Sequence, residues 1–164
     1  MSRAKADFLT ILRILSEHGV DFIVVGGVAG TLHGAPVTTF DLDVVHSREP
    51  ENLKRLLKAM DVLDAHYRTR KGKKLTPSLS HLASPGHQLL MTDAGPLDVL
   101  GAIGKGHEYN ELLAETIELA IDERLKVRVL SLPALIRIKQ ETAHEKDRAV
   151  LAILRRTLEE TSRT

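Results

Sequence analysis

The sequence contains no cysteine, so the chain can form neither disulfides nor thiolate metal sites. Only 3% of its 164 residues are aromatic, whereas 43% are hydrophobic. We therefore expect a core built mainly from leucine, valine, isoleucine and alanine. The length is typical of one domain, and we predict a single domain over residues 1–164, with a core at about 20–130 and C-terminal helices at about 131–160.

Neither sign of charge predominates, because the formal net charge is only +1 at pH 7. Such a balance provides no general attraction to nucleic acid or to a membrane surface. No stretch approaches the roughly 18 apolar residues of a membrane span. Charged residues also interrupt the apolar positions of the N-terminal segment, unlike those of a signal peptide. We expect a soluble, cytoplasmic protein of bacterial type without a membrane partner.

The most informative stretch is residues 21–46, which reads DFIVVGGVAGTLHGAPVTTFDLDVVH. Its pattern predicts a buried strand at 22–25, a glycine turn at Gly26 and Gly27, a short helix, a loop, and a second strand at 40–45. Free backbone N–H groups at such a turn form an anion site, and glycine lets the backbone approach a phosphate closely. Taken alone, the two glycines fit a plain strand–helix turn better.

Two acids interrupt the second strand, although aspartate is depleted in strands. Asp41 and Asp43 are two positions apart, so their side chains leave the same face of the strand. Two carboxylates that close repel each other, and one would take up a proton unless a cation lay between them. A hard divalent ion is the simplest explanation, and Mg²⁺ is the usual choice where phosphates are also bound. The alternative, an exposed edge strand with solvated acids, is opposed by the flanking apolar residues.

Gly26-Gly27, thirteen intervening residues and Asp41-Leu42-Asp43 together resemble the signature of the DNA polymerase beta-like nucleotidyltransferases. The resemblance implies that the glycine turn holds nucleotide phosphates, that both acids bind Mg²⁺, and that a later strand supplies a third acid. Asp98, in the apolar segment PLDVL, is the candidate for that acid. Taken alone, it fits a turn-proximal acid about as well.

The resemblance also implies a reaction. In nucleotidyl transfer, a hydroxyl attacks the α-phosphate of a nucleoside triphosphate in line with the leaving pyrophosphate. Two Mg²⁺ ions can stabilise the attacking and leaving oxygens. Asp41 and Asp43 would bind both ions, and Asp98 would hold the ion nearer the hydroxyl and could accept its proton. Thr39, in the Thr-x-Asp-x-Asp segment, would belong to the nucleotide site.

Further segments, from about Phe22 to Asp147, resemble a branch of small bacterial nucleotidyltransferases akin to those of abortive-infection and toxin–antitoxin systems. That likeness implies that Lys139 and Lys146 reach the triphosphate from the C-terminal helices, although both also fit ordinary surface lysines. Two departures remove positive charge from the phosphate region. Val37 stands where a basic residue is common in the family, and the segment HEKD (144–147) replaces Arg-Pro-Lys-Asp.

A basic run comprises Arg68, Arg70, Lys71, Lys73 and Lys74. Runs of this kind are usually solvated loops, and the functional alternative is contact with the phosphate backbone of RNA.

The patterns elsewhere predict an α/β (α+β) fold with a mixed, twisted sheet of about five strands and helices mainly on one face. We predict a hairpin between strands at 87–92 and 97–103, joined by the turn DAGP. Residues 109–120 are predicted to be helical. Residues 126–130 alternate charged and apolar side chains, which is typical of an edge strand.

These observations predict Mg²⁺-dependent transfer of a nucleoside monophosphate from a triphosphate such as ATP to a hydroxyl of a protein, RNA or small molecule. A role in a toxin–antitoxin pair would follow from the branch resemblance, and a cognate partner protein or a second copy would then complete the site. The competing hypothesis is a degenerate module that binds nucleotide or a partner without turnover. A phosphate-binding regulator that uses Gly26 and Gly27 alone would leave the aspartates unexplained.

Overall fold

The computed structural model describes residues 6–68 and 74–163. The helices in these ranges are α1 (Phe8–Glu17), α2 (Gly26–Leu32), α3 (Pro50–Val62), α4 (Leu79–Ala83), α5 (Tyr109–Leu112), α6 (Leu132–Glu141) and α7 (Arg148–Ser162). The strands are β1 (Phe22–Val25), β2 (Leu42–His46), β3 (His66–Tyr67), β4 (His87–Thr92), β5 (Gly95–Leu100), β6 (Ala102–Ile103), β7 (His107–Glu108), β8 (Thr116–Asp122) and β9 (Leu125–Leu130). Within these ranges, no helix is long and apolar enough to cross a bilayer.

Seven of the strands form one mixed sheet in the order β3-β4-β5-β2-β1-β9-β8. Strand β2 is parallel to β5 and β1 is parallel to β9, whereas the other neighbours are antiparallel. The predicted mixed sheet and the hairpin between β4 and β5 are therefore confirmed. The sheet has two strands more than the expected five. Strand β3 has only two residues, and β8 lies mostly within the segment for which a helix was predicted.

The prediction of a helix over residues 109–120 is wrong beyond Leu112, because strand β8 occupies the last part of this range. The helix ends at Leu112, and after one 3₁₀ turn the chain enters β8 at Thr116. Glutamate, leucine and alanine favour a helix locally, but Ile117 and Leu119 pair with residues of β9, so tertiary pairing overrides local propensity. Consequently β9, predicted as an edge strand, is internal, and β8 lies at that edge of the sheet.

The core is continuous across the sheet, and β1 is buried along its whole length. Side chains of α6 and α7 line a cleft together with Asp43, so these helices cover the Asp43 face. Because side chains alternate between the two faces along a strand, His46 lies on the face of the sheet opposite to that of Asp43. There its Nε2 lies 2.7 Å from the backbone oxygen of Leu82 on α4. Helices therefore pack on both faces of the sheet, and the predicted C-terminal helices, α6 and α7, lie on the Asp43 face.

Candidate active site

Three aspartates converge at one end of strands β2 and β5. These strands are adjacent and parallel, and Asp43 pairs directly with Asp98. Asp41 precedes β2, which begins at Leu42 rather than at the predicted Phe40. Each of the three carboxylates offers an oxygen within 4.8 Å of the others. We call Asp41, Asp43 and Asp98 the aspartate triad.

Two of the three aspartates have a carboxylate oxygen shielded from solvent. Asp98 is buried, and the Oδ1 atoms of both Asp43 and Asp98 are inaccessible to solvent and have no hydrogen-bond partner. Burial, followed by the charges of Asp41 and Asp98, raises the pKa of Asp43 to about 8. Burial and then the charge of Asp98 also raise the pKa of Asp41, and Arg68 opposes that shift. Adjacent carboxylates in such a site favour either a bound proton or a cation.

The chemistry of the aspartate triad fits a divalent metal ion. All three ligand groups supply carboxylate oxygen, and two of the oxygens lack any hydrogen bond that would otherwise satisfy them. Hard cations such as Mg²⁺ take oxygen ligands of this kind. The predicted metal ligands are therefore brought together in a way that suits the predicted metal.

One cation already contacts the aspartate triad. Arg68, which follows β3, places its Nη2 atom 2.7 Å from Asp98 Oδ1 and 3.9 Å from Asp41 Oδ2. The shorter approach is a charge contact without hydrogen-bond alignment. The sequence places Arg68 in a basic run but does not reveal this contact, because only the pairing of β3 with β4 brings the side chain to the triad.

The rest of the basic run shows no comparable contact in the described residues. Lys74 pairs with Asp64, at 2.5 Å, outside the triad. Arg70, Lys71 and Lys73 lie outside the described residues, so the predicted RNA contact at this run stays a prediction.

The glycine turn lies directly beneath the aspartate triad. Gly26 begins α2 with a φ of +67°, a conformation that strongly favours glycine. A Cβ atom at Gly26 would overlap Asp43 Oδ2, and one at Gly27 would lie 3.0 Å from the Cβ of Thr39. The hydroxyl of Thr39 donates a hydrogen bond to the backbone oxygen of Asp41 at 2.8 Å. Glycine is therefore required at position 26 for this approach to Asp43, and glycine at position 27 leaves room for Thr39.

A cleft of about 480 Å³ opens beside these groups. The glycine turn, Thr39, Asp41 and Asp43 line one side, and the exposed ring of Phe40 lies at its edge. Much of the remaining wall is aliphatic and comes from the loop before β2 and from α6 and α7: Val37, Leu135, Ile138, Val150 and Leu154.

The two lysines predicted to reach the triphosphate differ in their position. Lys139 lines the cleft, and its Nζ atom is 3.4 Å from Asp147 Oδ1. Asp147 also accepts a hydrogen bond from the backbone N–H of His144 at 2.8 Å, so it supports the turn before α7. Lys146 is exposed on that turn and does not line the cleft. Of the two lysines, therefore, only Lys139 is placed to meet a ligand in the cleft.

No protein-family model matches the sequence, and neither does any curated protein. Solved structures do match. LnuA, a lincosamide antibiotic adenylyltransferase solved with lincomycin bound, is 14% identical with a TM-score of 0.59, over 90% of this chain and 94% of that one. ANT(2″)-Ia, solved in complex with adenylyl-2″-tobramycin, is 17% identical with a TM-score of 0.57, over 92% and 87% of the two chains.

A third match is the candidate nucleotidyltransferase TM1012 from Thermotoga maritima. It is 17% identical with a TM-score of 0.52, and the match covers 95% of this chain and 88% of that one. At these identities the likeness establishes the fold, which is the α+β nucleotidyltransferase fold that the resemblance implied.

Proposed function

We propose that this protein transfers a nucleoside monophosphate from a nucleoside triphosphate to an acceptor hydroxyl. The observation that carries the proposal is the convergence of the aspartate triad above a glycine turn, at the edge of a cleft. A triad of this kind could serve structure alone, but buried carboxylate oxygens without a hydrogen bond, such as Asp43 Oδ1, are costly unless they bind a cation. The nucleotidyltransferase fold of the similar structures supports the same conclusion.

In the proposed reaction, the acceptor oxygen forms a bond to the α-phosphorus while the bond from phosphorus to the pyrophosphate oxygen breaks. The proton of the hydroxyl passes to a carboxylate, and we assign that role to Asp98. The aspartate triad would hold Mg²⁺, with two ions as the expected number. When bound, Mg²⁺ neutralises the charge of the phosphates and of the leaving pyrophosphate.

The remaining groups at the cleft would position the nucleotide. The glycine turn exposes backbone close to Asp43, so phosphates can approach without a side chain in between. Thr39 keeps the loop of Asp41 against this turn. Lys139 supplies positive charge at the cleft, and the aliphatic wall offers an apolar surface to the base. Because positioning and charge neutralisation dominate this chemistry, such groups are sufficient to form a reaction site.

For the acceptor we favour the hydroxyl of a small molecule. Two similar structures were solved with an adenylylated tobramycin and with lincomycin, which are small molecules. A protein or RNA acceptor, and with it a role in a toxin–antitoxin pair, depends on the branch resemblance alone. In either case a partner protein or a second copy of the chain would complete the acceptor side.

A binding module without turnover is the second candidate. It is favoured by Val37, because this apolar side chain lines the cleft where the family often has a basic residue. A module of this kind would bind nucleotide but would not form product.

The test is incubation with each α-labelled nucleoside triphosphate, MgCl₂, and three acceptor pools: hydroxylated small molecules, total RNA and a protein extract. We expect label on one pool, lost in Asp41→Asn and retained in the control Asp61→Asn, which changes an exposed acid of α3. Thermal unfolding with Mg²⁺ plus nucleotide separates the two candidates. If Mg²⁺ and nucleotide together raise the unfolding temperature but no acceptor pool is labelled, the protein is a binding module. If neither stabilisation nor labelling occurs, both candidate functions are refuted.

A further inference from the structure

Arg68 lies where a cation bound by the aspartate triad would lie. Its Nη2 atom is 2.7 Å from Asp98 Oδ1, the same oxygen that lacks a hydrogen bond, and 3.9 Å from Asp41 Oδ2. Among the described residues, it is the only basic side chain that forms an ion pair with the triad. It therefore supplies positive charge directly beside two of the three carboxylates.

The guanidinium is held in place by its own contacts. The backbone N–H of Arg68 donates to the oxygen of Leu89 at 3.2 Å, and its Nη1 donates to the oxygen of Leu90 at 2.7 Å. The side chain is partly buried between β4 and the triad. An arginine anchored in this way differs from a solvated surface lysine, which would contact the acids only transiently.

We propose that Arg68 is a built-in competitor of the metal: its guanidinium balances the aspartate triad in the metal-free protein and must leave Asp98 before Mg²⁺ can bind. The inference rests on the proposed function, because it assumes that the triad binds Mg²⁺. A guanidinium at contact distance from Asp98 Oδ1 opposes a divalent ion at the same oxygen, since both are positive and compete for its lone pairs. Arg68 therefore sets the concentration of Mg²⁺ at which the site fills.

This role makes a prediction opposite in sign to that of a structural role. If Arg68 only held the carboxylates in place, its removal would loosen the triad and weaken metal binding. If it competes, its removal leaves Asp41 and Asp98 without this neighbouring positive charge, so the triad binds Mg²⁺ more tightly. The direction of the change in Mg²⁺ affinity therefore distinguishes the two roles.

The experiment is calorimetric titration of MgCl₂ alone into the nucleotide-free wild type, Arg68→Gln and Arg13→Gln. Arg13 pairs with Asp122, at 2.5 Å, and neither residue lines the cleft, so this control removes an arginine ion pair elsewhere. We expect Arg68→Gln to bind Mg²⁺ about tenfold more tightly, which is about 1.4 kcal/mol, and Arg13→Gln to match the wild type. Equal or weaker binding by Arg68→Gln would overturn the proposal.

A second measurement needs no variant. In the wild type, the Nε–Hε resonance of Arg68, assigned through its backbone, should shift as MgCl₂ is added, because the side chain leaves Asp98. A resonance that stays unchanged while Mg²⁺ binds would overturn the proposal even if Arg68→Gln did not fold.

The labelled-transfer assay separates this inference from the function on which it rests. Mg²⁺-dependent transfer by the wild type, with no gain of affinity in Arg68→Gln, would refute the role of Arg68 alone. Failure of both proteins to bind Mg²⁺, together with no transfer, would refute both.

Discussion

The carboxylate of Asp43 occupies the space in which a side chain of residue 26 would begin. A Cβ atom at Gly26 would overlap Asp43 Oδ2 and would lie 3.0 Å from Asp43 Cγ. Gly26 also has a φ of +67°, so two independent constraints require glycine here. The close approach of Gly26 to Asp43 therefore joins the glycine turn directly to the aspartate triad.

Gly26→Ala should displace the Asp43 carboxylate, and we expect at least a tenfold loss of both Mg²⁺ affinity and transfer activity. Gly34→Ala is the matched control, because Gly34 also has a positive φ of +93° but nothing lies within 4 Å of its added Cβ. Both variants should lose about 1–2 kcal/mol of unfolding free energy from the left-handed backbone. Urea unfolding and metal titration measure the two effects, and equal Mg²⁺ affinities for the two variants would contradict the prediction.

Asp43 should make the metal-free protein less stable as the pH rises. Its pKa is raised to about 8, whereas an unfolded aspartate titrates near 3.9. Between these values the folded state keeps a proton that the unfolded state has lost. The stabilisation is therefore full below about pH 4 and is lost as the pH rises through 8, with a slope of at most about 1.4 kcal/mol per pH unit.

Asp43→Asn should flatten this slope, which urea unfolding in EDTA between pH 5 and 8 would measure. Asp122→Asn is the control, because the bond from Arg13 lowers the pKa of Asp122, so its contribution is lost only as the pH falls below that range. A slope that persists in Asp43→Asn would show that burial of this carboxyl does not control the pH dependence.

Asp98→Asn should lower kcat by at least about a hundredfold, the scale expected for loss of a general base. Asp93 lies in the exposed turn of the same β4–β5 hairpin, so Asp93→Asn tests for damage to the hairpin itself. Single-turnover transfer of label measures the chemical step directly. Comparable rates for Asp98→Asn and the wild type would remove Asp98 from the reaction.

Lys139→Ala should raise KM for the nucleoside triphosphate about tenfold with a smaller change in kcat, because Lys139 lines the cleft. Lys146→Ala should change neither value, since Lys146 is exposed and outside the cleft lining. Steady-state kinetics with varied nucleotide measure the difference. An equal rise of KM in both variants would restore the prediction that both lysines reach the triphosphate.

His107 joins β7 to the end of α6. Its ring lies 2.8 Å from Glu141 Oε1 and 2.5 Å from Glu111 Oε2. Bonds to Glu141 and then to Glu111 raise the pKa of His107. Its stabilisation is thus full below the ordinary pKa near 6.5 and is lost as the pH rises through the higher folded value.

His107→Gln should therefore reduce stability slightly at pH 6 and change it less at pH 9. Thermal unfolding at the two pH values is the measurement. His66→Gln is the control, because the hydrogen bond of that ring among the described residues is to the backbone oxygen of Asp64 rather than to a carboxylate. A loss of the same size at both pH values would assign the effect to packing rather than to charge.

Local pattern alone predicted several elements around the aspartate triad. The run of apolar residues predicted β1 with its observed bounds, and the turn DAGP predicted the β4–β5 hairpin. The spacing of Asp41 and Asp43 placed both carboxylates on one side of β2, because side chains alternate along any extended chain. These features depend on a few neighbouring residues, so the amino-acid order was sufficient.

The contacts of Asp98 and Arg68 with the other site residues, and the presence of strand β8, depend on the tertiary structure. Only the parallel pairing of β2 with β5 puts Asp98 beside Asp43, and only the short strand β3 brings Arg68 to the triad. Strand β8 was missed because its residues favour a helix until β9 offers a partner. Contacts of this kind join segments distant in the chain, and the burial of the whole core, rather than local propensity, determines which segments meet.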